Sequence, residues 1–373
     1  MARLFTLSPL GQRRWRNFKA NRRAFWSLWI FVVLYGVSLC AELVANDMPI
    51  LVRHKGTFYT PVTSFYPETT FGGDLRTQAN YATVEVQCLI VAAGSLDCWD
   101  DPEGIMTEAQ TLGTAAGEPV QAGWILWPPI RYSYNSIVDT GGVAPGPPSA
   151  QNWLGTDDTS RDVAARVLYG FRLSITFALM VTLATSVIGI AAGAVQGYFG
   201  GLTDLIFQRV IELWSSIPTL YVIIILTAVW SKSFWLMVGL MVLFGWTALV
   251  GVVRAEFLRA RNFEYVRAAR ALGVRDGQIM FRHILPNAMV ATLTLLPFMV
   301  TGTIGALATL DYLGFGLPSS SPSLGQLSRQ AQMNLQAPWL GFTAFLTFAV
   351  MLSLLVFIFE GIRDAFDPRK IFR

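Results

Sequence analysis

Residues Glu256 to Asn287 read E-F-L-R-A-R-N-F-E-Y-V-R-A-A-R-A-L-G-V-R-D-G-Q-I-M-F-R-H-I-L-P-N, a charged stretch between two long apolar runs. From Arg254 to Asn287 there are seven basic residues, too many to sit in hydrocarbon. The segment therefore stays in water between two membrane spans. Working outward from it, six segments lack Asp, Glu, Lys and Arg and are long enough to cross about 30 Å of hydrocarbon as helices. They are Ala24 to Ala41, Leu173 to Gly197, Leu213 to Ser231, Phe234 to Val253, Met289 to Leu310 and Gly341 to Phe359.

Composition agrees with that reading. Hydrophobic residues make up 53% of 373 positions and charged residues 14%, with a mean hydropathy of +0.46, outside the range of a soluble domain. The expected fold is an all-α polytopic membrane protein with six transmembrane helices. Its expected parts are a basic N-terminus (1–23), a first transmembrane helix (24–45), an insert (46–169), a core holding spans two to six and the loop 254–287 (170–362), and a tail (363–373).

Basic residues predict the threading. Arg3, Arg13, Arg14, Arg16, Lys19, Arg22 and Arg23 precede the first span with no acid among them, so this end and the loop 254–287 should face the cytoplasm. Six spans return the tail, with Arg363, Arg369, Lys370 and Arg373, to the same side. Asn46 to Tyr169 carries six basic residues against fourteen acids and belongs outside. The net charge of +4 mostly records this sidedness and is no nucleic-acid footprint. The first span is longer than a signal-peptide core, and no small-x-small site follows it, so it reads as a retained anchor.

The insert is rich in Gly, Pro, Ser and Thr and in aromatics from Phe58 to Tyr132. It reads either as a loop-rich cap or as a docking platform for an external protein. Gly141 to Ser149, G-G-V-A-P-G-P-P-S, reads as a linker back to the membrane. Cys88 and Cys98 lie in the insert at a spacing that fits no zinc pattern; they are either a disulfide or two buried thiols. Cys40 reads as a small apolar residue inside a span. Motifs of hydrolases, P-loop ATPases and zinc peptidases are absent, and the only histidines are His54 and His283. Energy for transport must come from another chain or from an ion gradient.

Within the charged stretch, Asn262 can cap a helix, Glu264 falls in its first turn, Arg267 and Arg270 lie toward its end, and Gly273 can take the left-handed stop. Tyr265, Ala268, Ala269 and Leu272 are expected on one face. Asp276 can cap a second short helix, and Pro286 suits the first turn of the next span. On these grounds alone a solvated amphipathic loop and a docking element stand side by side.

R-A-A-R-A-L-G, then nine residues, then H-I-L-P resembles the E-A-A-x3-G-x9-I-x-L-P loop of ABC-importer permeases. The match falls on Ala268, Ala269, Gly273, Leu285 and Pro286, with departures at Arg267 and His283. N-W-L-G-T-D-D-T-S-R-D-V-A-A-R-V-L-Y-G-F-R-L-S (Asn152 to Ser174), Y-L-G-F-G-L-P (Tyr312 to Pro318) and D-A-F-D-P-R (Asp364 to Arg369) are similar to C-type oligopeptide and dipeptide permeases. The insert, with F-G-G-D-L and P-P-I-R, is most similar to the Yej branch, importers of peptides and microcin C.

The resemblance implies the type I importer (MetI-like) permease fold with a large periplasmic insert after the first span. It implies a homologous second permease (YejB-like), an ABC ATPase with two nucleotide-binding domains (YejF-like), a periplasmic substrate-binding protein (YejA-like), a peptide substrate and a lipid bilayer. ATP and magnesium would belong to the ATPase, with no cofactor on this chain and no nucleic-acid partner. Coupling would run through residues 262 to 273. Pathway candidates are Pro297, Gly302, Gly305, Leu307, where many peptide permeases carry Glu, and Asp311. The rival is a secondary transporter or channel without ATPases; such carriers place ionisable groups at mid-membrane, whereas Glu212, Asp311 and Glu360 lie at span ends.

Overall fold

The computed structural model describes residues 9–366; Arg3, Arg369, Lys370 and Arg373 lie outside them. In chain order the elements are α1 (Pro9–Ala20), α2 (Arg22–Leu39), α3 (Ala41–Val44), β1 (Leu51–His54), β2 (Thr57–Tyr59), α4 (Val84–Val91), α5 (Pro102–Thr111), β3 (Thr114–Ala115), β4 (Glu118–Pro119) and β5 (Trp124–Leu126). There follow α6 (Val163–Phe199), α7 (Gly201–Ser215), α8 (Thr219–Val229), α9 (Phe234–Gly245), α10 (Thr247–Ala260), α11 (Glu264–Ala271) and α12 (Asp276–Gln278). A π-helical turn (Ile279–Ile284) leads into α13 (Leu285–Leu293), α14 (Leu296–Leu313), α15 (Leu324–Met333) and α16 (Pro338–Phe366). Two compact units result, one built from residues up to Tyr35, Gly170–Arg329 and Phe342 onward, the other from Gly36–Tyr169 with Gln330–Gly341.

Among the described residues, five helical stretches are long and apolar enough to cross a membrane: α2, α6, α9 running into α10, α14 and α16. A sixth span exists only as a broken one. The expected straight helix from Leu213 to Ser231 is instead α7 and α8, bent by 65°. Pro218 is the cause: it has no N–H to donate, and it pushes Ile217 out of the helical region. The expected span from Met289 to Leu310 is likewise divided, between α13 and α14 at Thr294–Leu295. Pro297 sits in the first turn of α14, where its missing N–H leaves no gap in the ladder. α6 has 37 residues, about 55 Å at helical rise, and outreaches the bilayer. Cys40 lies just past α2 and is exposed, not within the span.

Glycine spacing sets how closely α6 approaches α10. A Cβ built on Gly189 would lie 2.6 Å from the Trp246 carbonyl oxygen, on Gly193 2.8 Å from that of Val250, and on Gly197 2.5 Å from that of Arg254. These three glycines recur every fourth residue, so they line one face and let two backbones meet where any side chain would hold them apart. Leu249, Val253 and Phe257 of α10 are fully buried there.

The insert is loop-rich, as its composition suggests, and it also carries a folded core. β1 pairs antiparallel with β2 and with β5, in the order β2-β1-β5. Strand alternation turns Val52 and His54 inward, onto a core that includes Phe71, Tyr81, Leu89 and Ile90. The His54 Nδ1 lies 3.3 Å from the Ile90 carbonyl oxygen, and burial, ahead of the neighbouring Lys55 charge, holds the ring's pKa below its usual value. Cys88 of α4 and Cys98 are joined in a disulfide, both fully buried. The segment Gly141 to Ser149 is tied down rather than a free linker. Gly146 N–H donates to Thr156 Oγ1 at 2.8 Å, and Thr156 N–H donates to the Gly146 carbonyl at 2.9 Å.

The disulfide has a direct test. Maleimide applied to denatured, unreduced full-length chain from an oxidising compartment should label Cys40 alone; labelling at all three cysteines would contradict the bond. Replacing both Cys88 and Cys98 with Ser should destabilise this unit by about 2–3 kcal/mol through the lost loop constraint.

Candidate functional site

The charged loop has two faces, and they divide differently from expectation. α11 begins after Phe263, whose extended backbone makes it the N-cap. Asn262 is not the cap; its side-chain amide donates back to the Leu258 carbonyl, 3.4 Å away. Glu264 occupies the first turn and Arg270 the last, matching the helix dipole. Gly273 has φ +78°, so the helix stops in the left-handed conformation that only glycine adopts freely.

Ala269 points inward. With Val266 it packs into a core containing Phe257, Ile279, Met280 and Ile284. Two residues one turn apart, 266 and 269, define the anchored face, and the outer face is Tyr265, Ala268 and Leu272. Leu272 is 83% exposed and Tyr265 41%. Arg267 is exposed too, Leu285 is half-buried against the same core, and Pro286 stands exposed in the first turn of α13.

Tyr198, at the end of α6, latches this loop, and no sequence signal marks it because it lies 78 positions from its partner. Its hydroxyl donates to Asp276 Oδ1, and the Arg270 guanidinium lies 5.2 Å from its ring centre. Arg261 Nη1 donates to the Tyr198 carbonyl at 3.3 Å. Asp276 is in the first turn of α12, not its cap, and its carboxylate is turned to this bond. Close by, Arg254 grips Asp204 with two parallel bonds, Nε–Oδ1 2.5 Å and Nη2–Oδ2 2.6 Å, the bidentate geometry that adds directional rigidity. The turn after α11 is thus tied to α6, and α10 to α7, by hydrogen bonds, while α11 itself is held by packing and by the Arg270–Tyr198 contact.

The pathway candidates part company. Leu307 is buried among Phe177, Ile223, Met237 and Leu240. Asp311 is also buried, and it organises a loop: Oδ1 accepts from Leu317 N–H at 2.7 Å and Oδ2 from Ser323 Oγ at 2.5 Å. Gly302 and Gly305 lie on the opposite side of α14, where an added Cβ meets nothing within 4 Å among the described residues. With Phe298 and Thr309 they form an exposed stripe at helical spacing.

A second polar cluster sits where Asn152 to Tyr169 meets Gln330 to Gly341. Asp157, fully buried, accepts at Oδ1 from Thr159 and Arg161 N–H groups and at Oδ2 from Arg166 Nη1 at 2.5 Å. Gln330 Nε2 reaches both Asp157 and Asp158. Asn152 Nδ2 donates to Asp162 Oδ2 at 2.8 Å, while Asp162 Oδ1 accepts from Ala165 N–H and starts α6. Burial raises the Asp162 carboxyl above its usual pKa despite those bonds. Asn152, Asp157, Asp162 and Arg166 thus form a buried brace.

A family model described as "Binding-protein-dependent transport system inner membrane component" matches residues 162–372, and one described as "N-terminal TM domain of oligopeptide transport permease C" matches residues 8–60. The chain belongs to the family of binding-protein-dependent ABC-importer permeases, and it has the MetI-like permease fold. It is 54% identical over 365 residues to the inner membrane ABC transporter permease protein YejE of Escherichia coli (strain K12), covering 98% of each chain. To the peptidoglycan transport system permease protein YejE of Agrobacterium fabrum it is 50% identical over 391 residues, 98% of this chain and 95% of that one. The oligopeptide transport system permease protein OppC of Bacillus subtilis is 34% identical over 225 residues, 60% of this chain and 73% of that protein. The chain is accordingly a multi-pass membrane protein and a permease subunit of an ABC importer.

Proposed function

We propose that this permease subunit carries peptides, microcin C-like antibiotics included, across the inner membrane as half of a pathway shared with a YejB-like permease. Both termini and α11 face the cytoplasm, and the folded insert faces the periplasm, where a YejA-like binding protein delivers substrate. ATP and magnesium bind a YejF-like ATPase; this chain is non-catalytic and carries no cofactor. The observation that supports coupling is the split character of α11. One face, Val266 and Ala269, is fixed to the chain's own core, while the other, Tyr265, Ala268 and Leu272, is an exposed apolar surface ending at a rigid glycine stop. The exposed Phe298–Thr309 stripe of α14, with Gly302 and Gly305, faces the second permease or the substrate. Asp311 holds the end of that helix. Likeness over nearly the whole chain to a permease named for peptidoglycan transport, and over 60% of it to one named for oligopeptide transport, supports peptide-containing cargo.

The test is uptake of a labelled panel of oligopeptides and muropeptides into proteoliposomes holding the whole assembly. ATP-dependent uptake of peptides is expected. Uptake that follows a proton gradient without ATP would support a secondary transporter instead.

A further inference from the structure

We propose that the cleft between α1 and the α2–α16 pair is a binding site for an anionic phospholipid. The proposal is independent of the cargo. α1 carries Trp15 and Phe18 one turn apart, their rings stacked at 5.7 Å, with Arg13, Arg14, Arg16 and Lys19 around them. Only Asn21 separates α1 from α2, and its side chain caps the turn by accepting from Ala24 N–H at 3.3 Å. Because α2 is a membrane span from its first turn, α1 is placed at the boundary between water and lipid.

The floor of the cleft is closed. Phe18 is buried against Ala24 and Ala365, and a Cβ on Gly361 would lie 2.2 Å from Ala24 Cβ and 3.0 Å from the Phe18 ring. Beside that contact an apolar cavity of about 390 Å³ opens, lined by Trp15, Leu28, Ile358, Ile362 and Phe366. Arg14 stands at its rim, with its guanidinium 4.2 Å from the centre of the Phe366 ring. At the α1–α2 corner a second cavity, about 480 Å³, is lined by Asn21, Arg22, Arg23, Phe357 and Glu360. Apolar room for an acyl chain and a polar, basic recess for a headgroup thus occur around one elbow.

Charge selects the lipid. The first acid in the chain is Glu42, and among the described residues none of Arg13, Arg14, Arg16, Lys19, Arg22 and Arg23 forms an ion pair. Glu360 offsets one of the two arginines at the corner. A zwitterionic headgroup brings its own cation and gains little from six basic side chains, whereas a net negative one is attracted by each. Snorkelling arginines can bury their stems on the cleft wall and keep the guanidinium at the phosphate.

The experiment is native mass spectrometry of the full-length chain released from bilayers of phosphatidylglycerol mixed with phosphatidylcholine. Wild type should retain phosphatidylglycerol at least about tenfold more than phosphatidylcholine. The triple variant Arg14→Gln, Arg22→Gln, Arg23→Gln should lose most of that preference, bringing retention of the two lipids to within about twofold of each other, and the corresponding Lys variant should keep it. Ile362→Trp, which fills the apolar cavity, should lower retention of both lipids. An undiminished preference in the Gln variant, or equal retention of the two lipids by wild type, would overturn the proposal. So would displacement of the lipid by excess inorganic phosphate, which would assign the recess to a free anion.

Discussion

Asp157→Ala destabilises the chain by about 3–5 kcal/mol, the largest effect expected of a single substitution here. The carboxylate is fully buried and Arg166 is 2% exposed, so removing the acid leaves a guanidinium with its principal counter-charge gone and water excluded. It also strips acceptors from the N–H groups of Thr159 and Arg161 and leaves Gln330 held by Asp158 alone. Thermal unfolding in detergent should show a lower midpoint and earlier protease cutting near residue 157. Adding Arg166→Met should restore part of the loss, since a buried pair replaced by apolar groups is often tolerated where half a pair is not. A single variant within about 0.5 kcal/mol of wild type would mean the brace is ornamental.

Leu272→Asp is expected to leave the folded chain intact while weakening ATPase capture roughly 10- to 100-fold, the range set by losing one buried leucine contact. The side chain is 83% exposed, so nothing in this chain depends on it. Ala269→Asp is a different change: its carboxylate would enter the core of Val266, Ile279 and Ile284 and disrupt the loop itself. Gly273→Val meets no neighbour within 4 Å, so its whole cost, about 1–2 kcal/mol, is the left-handed backbone. Exposed Gln278→Lys serves as a control. Normal capture by the Leu272→Asp variant in pull-down titrations would remove α11 from the coupling route.

The membrane class of the fold was legible because apolar runs without charge have few other uses. Their interruptions were not: Pro218 and Thr294–Leu295 sit inside runs whose hydropathy does not change where the helix breaks. In the loop, Gly273 and the charge order of α11 follow from local chemistry and could be read directly. Ala269 could not, because on a two-turn helix rich in alanine the buried face is decided by what it meets, here Ile279 and Ile284 from the following turn. Tyr198 and the Asp157–Arg166 pair depend on tertiary approach and leave no periodic trace. The glycines at 189, 193 and 197 did leave one, a four-residue spacing of small residues within an apolar run. The insert's core was hidden by strands of two to four residues, too short for alternation to stand out.

Coupling through the outer face of α11 is tested most directly by the ratio of peptide taken up to ATP hydrolysed in proteoliposomes holding the complete assembly, wild type against Leu272→Asp. The expected result is a ratio near zero in the variant, with equal amounts of both permease chains in the membrane. An unchanged ratio at unchanged turnover would contradict it, and would leave residues 264 to 272 as a solvated loop.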